Sequence, residues 1–148
     1  MANLVFNQAL GRVASLAALP AATDALIAVP LEATGLATDA VMRDYDDLAT
    51  LLTGTSNEQT SMGRKTLTGV TVTVDDTLDR VAVDCADITW TAATGNPVGA
   101  VVICYDPDTT GGTDADLIPL TKHDVALTPD GNNFTLSVAD FYRASSTA

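Results

Sequence analysis

The chain reads as an α+β protein in which an N-terminal helical region precedes an antiparallel β-sandwich or open barrel. Three observations carry that expectation. Apolar residues recur at helical spacing up to residue 54, β-branched runs dominate after Gly69, and clusters of Gly, Pro, Asn and Asp separate those runs at short intervals. With 148 residues, 47% of them hydrophobic, the chain can fill a core of ordinary size, which excludes wholesale disorder. The expected divisions are a helical docking region at 1–54, a polar linker arm at 55–69, a β-sandwich body at 70–143 and a tail at 144–148.

Phe6, Leu10, Val13 and Ala17 stand at i, i+4, i+7 and i+11, the spacing of one helical stripe. They predict a helix from near Asn3 to just before Pro20, weakened by Gly11. Residues 25–31 are short and apolar, and Pro30 cannot donate to a ladder, so they predict a brief edge strand. Val41, Tyr45, Leu48 and Leu52 predict a second helix, capped by Thr38, ended by Gly54 and supported by Asp39–Arg43 and Arg43–Asp47 pairs. Asp44, Asp46 and Asp47 fall on different sides of that cylinder and read as a solvated face rather than an acid/base pair.

Residues 53–69, TGTSNEQTSMGRKTLTG, are polar and glycine-punctuated, the composition of a connector or arm. Arg64 and Lys65 are adjacent there and form a local positive patch in an acidic chain. Strands are predicted at 70–74, 80–90, 98–105, 117–120, 124–128 and 133–138. Residues 98–105 are almost wholly apolar, as in a strand buried on both faces. Residues 80–90 alternate, with Val81, Val83 and Cys85 on one face and Asp84 and Asp87 among the polar positions.

Nineteen acidic against seven basic residues give a formal charge of −12, which repels nucleic acid. The acids are scattered rather than gathered into a tail, which suits a solvated surface. Cys85 and Cys104 both lie in predicted strands; a bridge across the core requires suitable geometry, and buried reduced thiols are the expectation. The apolar run from Val13 reads as helix rather than secretory leader. Its continuation is broken by Pro20, Thr23, Asp24 and Pro30, so no membrane span is expected. A soluble protein made in a cytoplasm follows, in which the Asn133-Phe134-Thr135 sequon meets no glycosylation machinery.

The chemistry-bearing residues form no recognised catalytic pattern. Asp106, Asp108, Asp114 and Asp116 surround a glycine-rich loop with the hard oxygen ligands calcium uses, but Leu117 stands where an EF-hand carries its bidentate glutamate, so a solvated turn loop is the expectation. One histidine, His123, and no Cys-x-x-Cys pair leave too few parts for zinc or a Cys/His nucleophile pair. His123 and Asp124 are strand neighbours whose side chains point apart, and no nucleophile elbow or phosphate loop is present. Trp90 and Tyr105 read as core aromatics; only if exposed would they stack on sugars. No enzyme, cofactor or metal is expected.

The stretches GRKTLTGVTVTVDDTLDRVAVDCADITWTAATGNPVGAVVICYDPDT, GTDADLIPLTKHDVALTPDGNNFTL and GLATDAVMRDYDDLATLLTG resemble small virion structural proteins of tailed bacteriophages, especially those infecting actinobacteria. The likeness spans most of the chain and is strongest from 62 to 128. It implies a non-catalytic decoration or minor capsid protein, with a β-rich body bound outside the major capsid protein shell and an N-terminal region serving docking or oligomerisation. On that reading Arg64 and Lys65, with the stripe of Phe6, Leu10 and Val13, contact the capsid, and a homo-oligomer, with a trimer favoured, sits on the virion exterior. The alternative is a minor tail component or a receptor- or carbohydrate-binding module.

Overall fold

The computed structural model describes residues 4–54 and 56–146. It is mostly antiparallel sheet with few helices. In chain order it runs β1 (Leu4–Val5), a 3₁₀ turn (Asn7–Ala9), α1 (Val13–Ala17), β2 (Ala25–Glu32), α2 (Asp39–Met42), α3 (Leu48–Gly54), β3 (Lys65–Thr66), β4 (Thr71–Asp75) and β5 (Arg80–Asp84). There follow β6 (Ile88–Trp90), β7 (Val98–Asp106), β8 (Ile118–Leu127), β9 (Phe134–Leu136) and β10 (Tyr142–Ser145). The sheets are ordered β1-β8-β7-β2-β3, β10-β5-β4 and β6-β9, and their pairings are antiparallel.

β7 lies at the centre of the five-stranded sheet, and its alternate residues feed two separate cores. Val101, Ile103 and Tyr105 pack with Leu26 and Ala28 of β2, Val13 and Leu16 of α1, Val83, Trp90 and Phe141. Val102 and Cys104 pack on the other face with Ile27, Val29 and Leu31, Phe6, and Met42, Leu48 and Leu51 of α2 and α3. A sheet covered on both faces explains why β7 carries an unbroken apolar run.

Several expectations are corrected. The N-terminal stripe is not one helix: Gly11 takes φ +74°, a left-handed conformation that ends the 3₁₀ turn, and α1 is confined to Val13–Ala17. Asn3, where the helix was expected to begin, lies outside the described residues. The second helix is split because Asp47 caps a new start, its Oδ1 accepting from the Thr50 amide at 2.7 Å. Thr38 flanks α2 with extended backbone but makes no side-chain cap bond.

β2 is interior rather than an edge, flanked by β7 and β3. Pro30 is accommodated because β3 pairs only with Ile27 and Ala28, and beyond it Pro30 serves as an acceptor, its carbonyl taking the Gln59 amide at 2.9 Å. The expected 80–90 strand is broken at Cys85 and divided between two sheets, whereas the strands expected at 117–120 and 124–128 are the single β8. β10 begins in the expected body and runs into the expected tail at Ala144 and Ser145, pairing with β5; residues 147–148 lie outside the described residues. Because β1 and β2 pair with β8 and β7, the N-terminal segment shares its main sheet with the β body.

Candidate functional site

The polar connector is stitched to the body rather than extended from it. Its Thr55 lies outside the described residues, but Ser56 and Gln59 are buried, Glu58 bridges to Leu31, and Trp90 Nε1 donates to Gly63 O at 2.9 Å. Arg64 is the hub of this segment. Its Nε and Nη2 donate to the Glu58 carboxylate at 2.8 and 2.7 Å, and its Nη1 and Nη2 to Asp114 at 2.5 and 2.9 Å. Hydrogen bonds to Glu58, then Asp114, outweigh burial and hold the guanidinium pKa above its ordinary value. The same bond is the main reason the Asp114 pKa lies below the usual carboxylate range. Two acids thus offset the Arg64 charge within the molecule, which corrects its expected role in a free positive patch. Lys65 is half-buried in β3, opposite Ala28.

Beside Arg64 opens a cavity of about 350 Å³, lined also by Thr66, Asp106, Asp108, Asp114 and Leu117. Asp114 is committed to Arg64, and the loop's other acids Asp108 and Asp116 serve the loop itself. Asp108 Oδ1 accepts from the Thr110 amide and hydroxyl at 3.0 and 2.6 Å, and Asp116 Oδ2 from both Thr113 groups at 2.9 Å. These bonds lower both carboxyl pKa values and build Asx-type turns. Among the described residues, no group of three or more His, Cys, Asp or Glu is arranged to hold a metal ion.

The apolar stripe expected to dock is taken apart by the fold. Phe6 and Val13 are fully buried, in opposite cores, because they lie on either side of the Gly11 turn. Leu10 alone of the three faces solvent, at 62% exposure. The sequence reading missed a second apolar surface at the β4–β5 hairpin, where Val74 is 72% and Leu78 56% exposed. β4 is also an edge of its sheet. Alternation in TVTVDDTLD groups Val74 with Val72, which packs on the core, so the exposure of Val74 departs from the period and was not legible in it.

Lys122 was also missed as a site. It lies on β8 with its side chain 3% exposed, and its Nζ donates to Asp39 Oδ1 of α2 at 2.5 Å and Asp124 Oδ1 at 2.8 Å. Burial pulls its pKa down, but the two carboxylates more than offset this and the net direction is upward. Neighbouring His123 faces the other way, its Nε2 3.0 Å from Thr121 Oγ1, with burial lowering its pKa against the pull of Asp124.

Cys104 and Cys85 occupy opposite cores, so the five-stranded sheet stands between them and both are free thiols. Burial pushes Cys85 up to about 11 and raises Cys104 as well. Trp90 and Tyr105 are core: Trp90 stacks on Phe134 at 5.8 Å, and Tyr105 Oη donates to Asp24 Oδ2 at 2.8 Å. Among the described residues no helix is long and apolar enough to cross a membrane. Comparison with protein families, curated proteins and solved structures finds no match to this chain.

Proposed function

We propose that the protein is a non-catalytic structural component of a bacteriophage virion that binds the outside of the capsid and reinforces contacts between major capsid subunits. In this reading the body is a sandwich, with the small sheets over one face of the five-stranded sheet and α2 and α3 over the other, and it assembles as a homo-oligomer, with a trimer favoured, on the capsid. The observation that carries the reading is the pair Val74 and Leu78, large apolar side chains held in solvent beside two closed cores. Together with the resemblance over 62–128, they suit a surface completed by a partner. Burying them across neighbouring subunits adds binding free energy to the cost of separating the shell.

Docking therefore moves from Phe6 and Val13, which are core, to Leu10 and the β4–β5 hairpin. Cryo-electron microscopy of the virion tests the location, and density of this chain repeated over the capsid lattice is expected. Val74→Asp with Leu78→Asp is expected to leave the melting temperature nearly unchanged and to weaken capsid binding about tenfold or more, equivalent to about 1.4 kcal/mol. Full binding by that variant would overturn the hairpin assignment. The polar cavity beside Arg64 favours a second reading, a receptor- or carbohydrate-binding module of the tail, for which density confined to the tail would be the mark.

A further inference from the structure

We propose that Lys122 and Asp39 become joined by an intramolecular isopeptide bond, with Asp124 carrying the protons. An amine, a carboxyl acceptor from a distant segment and a second carboxylate meet at one point, where the amine and the second carboxylate are desolvated. The Lys122 side chain is 3% exposed, Asp124 is 8% exposed, and both carboxylates contact Nζ, Asp39 from 83 residues away at 2.5 Å and Asp124 at 2.8 Å. Across the sheet Lys122 stands opposite Val102 and Leu4, and Phe6 and Met42 complete the apolar core on that face. Asp39 is the most open of the three groups, at 34% exposure, which gives a departing water a way out.

The reaction balances without a further reactant. Asp124 takes a proton from the Lys122 ammonium and passes it to the Asp39 carboxyl, and the neutral nitrogen attacks Cγ. Asp124 then takes a second proton from that nitrogen and delivers it to the leaving oxygen, so the C–O bond breaks, water departs and Asp124 returns to carboxylate. An ammonium and a carboxylate give an amide and one water. Fixed proximity supplies the effective concentration, and the product removes two opposite charges from a low-dielectric site. The amide N–H is left within reach of Asp124.

The test is tryptic digestion of the denatured full-length chain followed by mass spectrometry. The expected product is a branched peptide joining residues 13–43 to residues 81–143, lighter than the two by one water and uncut after Lys122. Lys122→Arg and Asp39→Ala are expected to abolish the branch, and Asp124→Asn to slow its formation roughly a hundredfold. Separate wild-type peptides ending at Lys122 and beginning at His123 would overturn the proposal and leave a buried ion pair only; this readout requires no variant to fold. Asp124→Asn linking at the wild-type rate would overturn the proton-carrier role.

Discussion

Replacing Arg64 with alanine should remove about 3 kcal/mol of stability, because the charge-assisted hydrogen bonds to two acids all end on this one side chain. The Glu58 arm contributes the larger share. Its carboxylate is 15% exposed and would be left nearly buried without a counter-charge, a loss of about 2 kcal/mol after allowing for the 30% exposure of Arg64 itself. Asp114 is 37% exposed, so solvent screening holds its arm to about 1 kcal/mol. For a chain of 148 residues this corresponds to a fall in Tm of roughly 9 °C, with a lower urea midpoint at unchanged slope. Arg64→Lys should recover less than half, since an ammonium cannot hold two carboxylates in forked geometry.

The pH dependence follows from the lowered Asp114 pKa, caused chiefly by the Arg64 hydrogen bond. A depressed folded-state pKa stabilises above the unfolded value, and that contribution is lost as pH falls through the folded value. The gap between wild type and Arg64→Ala should therefore be full at neutral pH and narrow below about pH 4. A neutral-pH gap under about 1 kcal/mol, or one that persists undiminished in acid, would refute the reasoning.

Gly95→Ala should cost about 2 to 3 kcal/mol, because φ is +107° and a Cβ would stand 2.9 Å from both Gln59 Oε1 and Ser61 Cβ. Gln59 is buried and holds Asn96 O and the Ser61 amide, so it has little room to yield; a melting curve matching wild type would show that it does. Cys85, with its pKa raised to about 11, and fully buried Cys104 should react with a soluble disulfide reagent roughly a hundredfold slower than a free thiol in native protein and at ordinary rates in urea. Prompt native labelling, or a Cys85–Cys104 disulfide on mild oxidation, would contradict the two-core arrangement.

What the sequence revealed depended on whether burial followed a simple period. β4, β7 and the turns around them were legible because β-branched alternation and unbroken apolar runs have few other uses. β8 was read as two strands because Thr121 and Lys122 look like a polar interruption, yet both are buried, and the lysine is tolerated only because Asp39, far off in the chain, reaches it. Phe6, Leu10 and Val13 match a helical stripe by spacing alone, and nothing local announces that Gly11 will send the first and last into different cores. The break after β5 was similarly hidden: Asp84 Oδ1 accepts from the Cys85 amide at 2.8 Å and Asp87 Oδ1 from the distant Val138 amide at 3.0 Å, so apparent surface acids are backbone acceptors, one local and one 51 residues away. Arg64 stood out as a cation, but its partner Asp114 lies 50 residues downstream, beyond any local pattern.

The strand order of the main sheet also sets a timetable for the chain as it leaves the ribosome. β2 pairs along its length with β7, so an apolar eight-residue strand waits for about 70 more residues, roughly 4 to 14 s of synthesis, before that partner is made. β1 waits longer still, since Leu4 and Val5 find their partners at Lys122 and Thr121. Until then β2 is an adhesive segment, and Pro30, with no amide hydrogen to offer, makes it a poor template for a neighbouring nascent chain. A residue that the finished sheet merely accommodates thus guards the unfinished one, where crowding of growing chains is greatest.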